Sequence, residues 1–197
     1  MSALGLFRAA SVIVAGLFVW FGMDIRRKPG SHDLVAPAWQ MLTKVAASAL
    51  VAACGWVVLA IPAPGAVDWL ALAVMTAGTG FIVAAKRALG ATHTFTGQYR
   101  ENPRLVTDGV YALTRNPLYL GVLLCEVGAL LCATRHVPEL YPRGYPAWFG
   151  LTGAALAYVV TFNWTMAARE AHELERRLGE RYREYGARVP FVIPFTK

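Results

Sequence analysis

Arg115-Asn116-Pro117-Leu118-Tyr119-Leu120-Gly121 opens an apolar run that continues to Thr134. A cation, an amide and a proline stand at the mouth of a segment greasy enough to be a membrane helix. Pro117 suits the first turn of such a helix, where no backbone N–H is needed. Glu126 follows eight residues beyond Leu118, about 12 Å deeper along a helix axis. An acid at that depth is a functional candidate by default. It has two readings: a receiver for a substrate amine or proton, or a hydrogen bond to a neighbouring span. A charged tail then runs from Arg169-Glu170 through Tyr182 and Tyr185 to Val189-Pro190. A charged, proline-containing motif at a helix mouth, paired with an acidic tail, predicts a small-molecule site at a membrane surface.

The composition agrees. The chain has 197 residues, 56% hydrophobic and 16% charged, against about 45–50% and about 25% in soluble domains. The apolar residues fall in blocks, which marks an integral membrane protein. Hydropathy predicts an all-α bundle of five transmembrane helices at about 4–23, 41–61, 68–86, 118–134 and 146–168, each near the roughly 20 residues a crossing needs. The Pro/Gly-rich, nearly uncharged connection at 61–68 joins the second and third spans in a tight hairpin. Residues 168–186 read as a helix continuing the fifth span, with Glu173, Arg176, Arg177 and Glu180 at ion-pairing intervals. Val189-Pro190 and Pro194 end helical structure. Residues 1–197 read as a single membrane domain.

Residues 4–23 are too long for the core of a secretion signal and are followed by Arg26-Arg27-Lys28, so they read as a first span. The net charge of +7 is explained by Lys and Arg crowding loops on one face of a bilayer, and no basic helix with interleaved aromatics suggests nucleic acid. Loop 24–40, loop 86–117 and the tail carry most of the basic residues. With five spans, the positive-inside rule puts the N-terminus outside and the C-terminus in the cytoplasm, in the cytoplasmic membrane if the source is bacterial. Cys54, Cys125 and Cys132 lie in apolar runs and read as small buried hydrophobes. No Cys/His cluster suggests a metal. Gly150, Gly153 and Ala157 form a small-residue row on the fifth span, which leaves the oligomeric state open.

Two motifs carry a resemblance. Leu105-Val106-Thr107-Asp108-Gly109-Val110-Tyr111 with Arg115-Asn116-Pro117-Leu118-Tyr119-Leu120-Gly121 is similar to the core motif of the isoprenylcysteine carboxyl methyltransferase and phospholipid methyltransferase superfamily. Glu170-x-x-x-Leu174, Leu178-Gly179-x-x-Tyr182-x-x-Tyr185 and Val189-Pro190 resemble its second motif. The motifs lie within 85–197, and 1–84 matches only as a three-span beginning of the bundle. The resemblance implies an integral membrane enzyme that uses S-adenosylmethionine, with a cytoplasmic cofactor pocket. It implies that Leu105, Val106 and Tyr111 line that pocket. Asn116, Pro117, Leu118 and Tyr119 contact the cofactor, and Glu170 holds its polar end. Two positions depart from the family: Asn116 stands where His is common and cannot carry a proton, and Ala171 stands where a second Glu is common, leaving Glu173 as the next acid.

The chemistry of these residues suits that cofactor. Arg115 at a helix N-terminus offers charge to a carboxylate. Tyr111 and Tyr119 can face a sulfonium or stack on adenine, and Glu170 can pair with an ammonium. Arg169 is a third residue for the chemistry, as a contact to substrate. Plain readings stand beside these: Arg115 and Arg169 as phosphate anchors, the tyrosines as interfacial aromatics, Glu170 as a surface acid. His93 reads as an exposed loop histidine, with closure over the cofactor as the alternative, and Asn163 as interhelical glue. The acceptor is expected to be lipophilic, with a carboxylate, amine or thiol taking the methyl group. The competing expectations are a membrane reductase related to sterol reductases, with a nicotinamide nucleotide in a similar place, and an inactive membrane scaffold.

Overall fold

The computed structural model describes residues 2–22, 30–90, 93–94, 98–100 and 103–194. Arg26, Arg27, Lys28 and Lys197, four of the basic residues behind the expected orientation, lie outside them. The helices are α1 (Ala3–Gly22), α2 (Pro37–Ala60), α3 (Ala66–Leu89), α4 (Pro117–Leu140), α5 (Tyr145–Leu178) and α6 (Glu180–Arg188). Two three-residue strands, β1 (Ser31–Asp33) and β2 (Gln98–Arg100), pair antiparallel with His32 opposite Tyr99.

Among the described residues, α1, α2, α3 and α4 are long and apolar enough to cross a membrane. Their outward faces carry bare apolar side chains, such as Ile13, Trp20, Val45 and Leu70. A contiguous apolar surface of this kind suits lipid. The expected fifth span forms as the first part of α5, which is less apolar than the other four helices. Tyr158, Asn163, Trp164 and the threonines at 152, 161 and 165 dilute its apolar character.

α3 and α4 form the centre of the bundle. A Cβ on Gly78 would lie 2.6 Å from the carbonyl oxygen of Gly121, and one on Gly121 would lie 2.6 Å from that of Gly78. The two backbones therefore touch at glycine pairs, the small-residue packing that membrane helices use. The row at Gly150 and Gly153 on α5 instead meets nothing within 4 Å. All three cysteines are buried and free.

The two ends of the bundle differ. At the far end a core of Phe7, Val57, Ile61, Ala71, Ala133 and Val137 closes around the α2–α3 and α4–α5 hairpins. There Arg8 donates to the carbonyl of Ile61 at 3.0 Å. At the other end, β1 and β2 tie the connection before α2 to the connection before α4, and α5 extends beyond the bundle. α5 stops at Gly179, whose φ of +57° suits glycine. The turn allows α6 to fold back, where Tyr182 and Tyr185 are buried.

Candidate functional site

The pocket lies at the N-terminus of α4. Pro117 occupies the first turn, and Asn116 precedes it without a side-chain cap. The segment before it makes one 3-10 turn (Gly109–Ala112) that buries Tyr111. Leu105, Val106, Tyr111, Arg115, Asn116, Pro117, Leu118, Tyr119 and Glu170 all line one cavity. Every pocket residue expected from the sequence is thus brought together, across some sixty residues of chain.

The acidic wall comes from α5. Tyr119 donates its hydroxyl to Glu170 Oε1 at 2.7 Å. One helical turn on, Glu173 accepts from Arg176 Nη2 and Arg177 Nε, both at 2.7 Å. Those bonds hold the Glu173 carboxyl at about 2, well below its ordinary 4.5. Glu173 is therefore an acid already satisfied by protein. Ala171 also lines the cavity; a second acid is absent there.

The second motif fastens the first. Arg115 N–H donates to the carbonyl of Pro190 at 2.9 Å. Asn116 Nδ2 donates to the carbonyl of Phe191 at 2.7 Å, and the Arg115 guanidinium lies 5.2 Å from the Phe191 ring centre. Tyr185 donates to the carbonyl of Tyr111 at 2.7 Å. Burial, then the Glu170 charge, pushes the Tyr111 phenol up, and burial does the same to Tyr185. Both stay protonated donors at neutral pH. Asn116 thus spends its amide N–H on the C-terminal segment while it borders the cavity.

Arg169 is not part of this cavity. It borders a separate groove between α2 and α5, and Nη1 donates to the carbonyl of Leu34 at 3.3 Å. Arg169 turns to that groove, while Glu170 and Ala171 line the pocket. His93, expected to be exposed, is 6% exposed and lines the cavity. Its backbone N–H bonds the carbonyl of Gly90.

Sequence reasoning missed the outer wall, which β2 provides. Gln98 donates Nε2 to Asp33 Oδ1 at 3.0 Å, Gln40 donates to the same oxygen, and Arg177 covers the Tyr99 ring at 4.7 Å. Arg177 was read only as part of a charged helix face. The clue was that a glutamine and a tyrosine sit in a loop beside the motif, but their partners lie near residue 33.

Two polar atoms in the cavity wall have no hydrogen-bond partner among the described residues, Gln98 Oε1 and Arg115 Nε. A buried polar group left unpaired costs about 1–3 kcal/mol. An acceptor, a donor, a carboxylate and several phenols around a Leu/Val floor fit an elongated ligand with charged ends and a planar part.

The sequence profile of the phospholipid methyltransferase family matches residues 67–139. This reaches back through α3, so the third span belongs with the motif-bearing part and is more than a generic span. Protein-S-isoprenylcysteine O-methyltransferase B of Arabidopsis thaliana is 30% identical over 127 residues, covering 63% of this chain and 51% of that protein. Protein-S-isoprenylcysteine O-methyltransferase A of the same plant is 30% identical over 128 residues, with the same two shares. The chain spans about half the length of the curated relatives it matches.

Proposed function

Because the chain belongs to the superfamily of isoprenylcysteine carboxyl methyltransferases and phospholipid methyltransferases, we propose that it transfers a methyl group from S-adenosylmethionine to a lipophilic acceptor at the membrane surface. One observation carries the reading: Leu105, Val106, Tyr111, Arg115, Asn116 to Tyr119 and Glu170 converge on a single cavity, with Glu170 held there by Tyr119.

When bound, S-adenosylmethionine supplies a methyl group activated by its sulfonium. Glu170 pairs with the ammonium, and the Arg115 end of the pocket receives the carboxylate. Gln98 Oε1, its amide N–H already committed to Asp33, accepts from the ligand. Leu105, Val106 and Leu118 exclude water beside the planar part. Methyl transfer is an in-line displacement, so alignment and dehydration are the protein's main contributions. Residues 1–197 act as one membrane domain, with α5 as a fifth crossing, the N-terminus outside and the pocket open to the cytoplasm, where soluble cofactor is available. Arg100, Arg104 and Arg115 on the pocket side support that orientation.

The test is calorimetric titration of the detergent-purified chain with S-adenosylhomocysteine, wild type beside Glu170→Ala. Saturable binding that Glu170→Ala weakens at least about tenfold, as loss of a charged hydrogen bond predicts, is the expected result. Absence of binding by folded wild-type protein would remove the cofactor assignment and favour a reductase or an inactive scaffold.

A further inference from the structure

Glu126 is an acid in the apolar interior that the pocket does not use. It lines two cavities. The first lies among α1, α2, α3 and α4 and is almost wholly apolar, with Phe18, Leu50 and Met75 in its wall. The second is a cleft between α4 and α5, bounded by Tyr119, Val122, Asn163, Trp164 and Val192. Glu126 Oε2 is buried and has no hydrogen-bond partner among the described residues. Among the described residues, no Lys, Arg or His lines either cavity.

Tyr119 and Glu126 are seven residues apart on α4, so they share a face about 10 Å apart along the axis. Helical side chains lean towards the N-terminus, which brings the Glu126 carboxyl towards the pocket. Tyr119 borders both the cleft and the cofactor cavity. A ligand reacting beside Tyr119 can therefore extend down the cleft past Glu126.

We propose that Glu126 is the recognition group of the acceptor site, and that the acceptor is an amphiphile carrying a hydrogen-bond donor in its membrane-embedded part. The donor, an ammonium or a hydroxyl, sits about two helical turns below the atom that takes the methyl group. A purely hydrocarbon tail leaves the buried Glu126 oxygen unpaired, at the cost any orphaned buried acceptor carries. An anionic group at that depth meets an acid in a cleft that no cation lines among the described residues. Glu126 lies too far from the pocket to move a proton at the reacting atom, so it selects the acceptor and does not catalyse. The placement of the reacting atom rests on the methyl-transfer reading; the donor preference of the cleft does not.

The test uses the full chain in phosphatidylcholine nanodiscs, titrated with dodecylamine, dodecanol and dodecanoate, each corrected for protein-free nanodiscs. Wild type is compared with Glu126→Gln and Glu126→Leu, and S-adenosylhomocysteine affinity in the same samples reports an intact pocket. Dodecylamine should bind wild type at least about tenfold tighter than Glu126→Leu, the loss expected for one charge-assisted hydrogen bond. Dodecanol should lose less, and dodecanoate should gain in the variant. Equal dodecylamine affinity in all three proteins, or dodecanoate as the tightest wild-type ligand, overturns the proposal. Amine selectivity that depends on Glu126 in a wild type that ignores S-adenosylhomocysteine keeps the subsite and removes the methyl-transfer reading.

Discussion

The bundle holds an acid near each end, and the two are treated in opposite ways. At the far end Asp68 is fully buried. It accepts from Gly65 N–H at 2.7 Å and bonds His136 Nε2 at 2.8 Å, with Arg135 at 3.9 Å and the Cys132 thiol at 3.6 Å. It borders none of the cavities described above. At the pocket end Glu170 is held by Tyr119 and faces a cavity whose wall contains unpaired polar atoms. Asp68, enclosed by its partners, ties α3 to α4, whereas Glu170 borders a cavity that a ligand can enter. Burial and surroundings separate the two roles together: Asp68 is fully buried among protein donors, and Glu170 is half-buried at the cavity wall.

The strongest way to break this comparison is to remove each acid. Asp68→Ala leaves His136 and the Gly65 N–H without their acceptor inside the bundle. It should cost about 3–5 kcal/mol, as for a buried pair that loses one partner, read as a lower unfolding midpoint in detergent. Glu170→Ala should cost less than about 1 kcal/mol, since a partly exposed side chain leaves solvent to satisfy Tyr119. Equal stability losses in the two variants would erase the distinction. Tyr119→Phe is the next effect in size. It removes the hydroxyl that positions Glu170 and should weaken S-adenosylhomocysteine about tenfold, the worth of a hydrogen bond to a charged group, with an unfolding midpoint near wild type. Unchanged affinity in Tyr119→Phe would mean that Glu170 keeps its aim without the Tyr119 hydroxyl.

Much of the pocket end was legible in the sequence. Local order fixes it: the Arg115 to Gly121 stretch opens α4, Pro117 sets its first turn, and Glu170 lies on the next helix of a hairpin. The Arg169 placement was not legible: Glu170 and Ala171, also neighbours on α5, share the pocket, so adjacency alone does not turn Arg169 away from it. What stayed hidden depends on distant pairing. Gln98 and Tyr99 become a wall only because residues 31–33 supply the other strand, and a three-residue strand has no periodicity to read. The burial of His93 is likewise set by the folded pocket and not by its own sequence neighbours. At the far end, α4 runs to Leu140 and not to about residue 134: Arg135 and His136 are polar enough to end an apolar run, but both reach Asp68 across the bundle. The identity of that partner is a fact of packing between α3 and α4, whose glycines and core side chains bring them close.

The smallest expected effect sharpens the comparison most, because it concerns an acid in the pocket wall itself. Glu173 lines the same cavity as Glu170 and is the acid a reader of the sequence would hold in reserve. By charge and proximity alone the two should be exchangeable. By their partners they are not: Glu173 is already bonded to Arg176 and Arg177. Glu173→Gln should therefore lower S-adenosylhomocysteine affinity by no more than about threefold, below the value of one charged hydrogen bond. The same pairing sets its pH behaviour. A carboxyl held at about 2 instead of 4.5 contributes stability that is fully present above its ordinary value and disappears only as pH falls towards about 2. The unfolding midpoint of Glu173→Gln should thus run parallel to wild type through the neutral range and converge with it in acid. A tenfold loss of affinity in this variant would mean that the arginines release Glu173 to the ligand, and the rule that saturated acids are structural would fail inside the pocket where it matters.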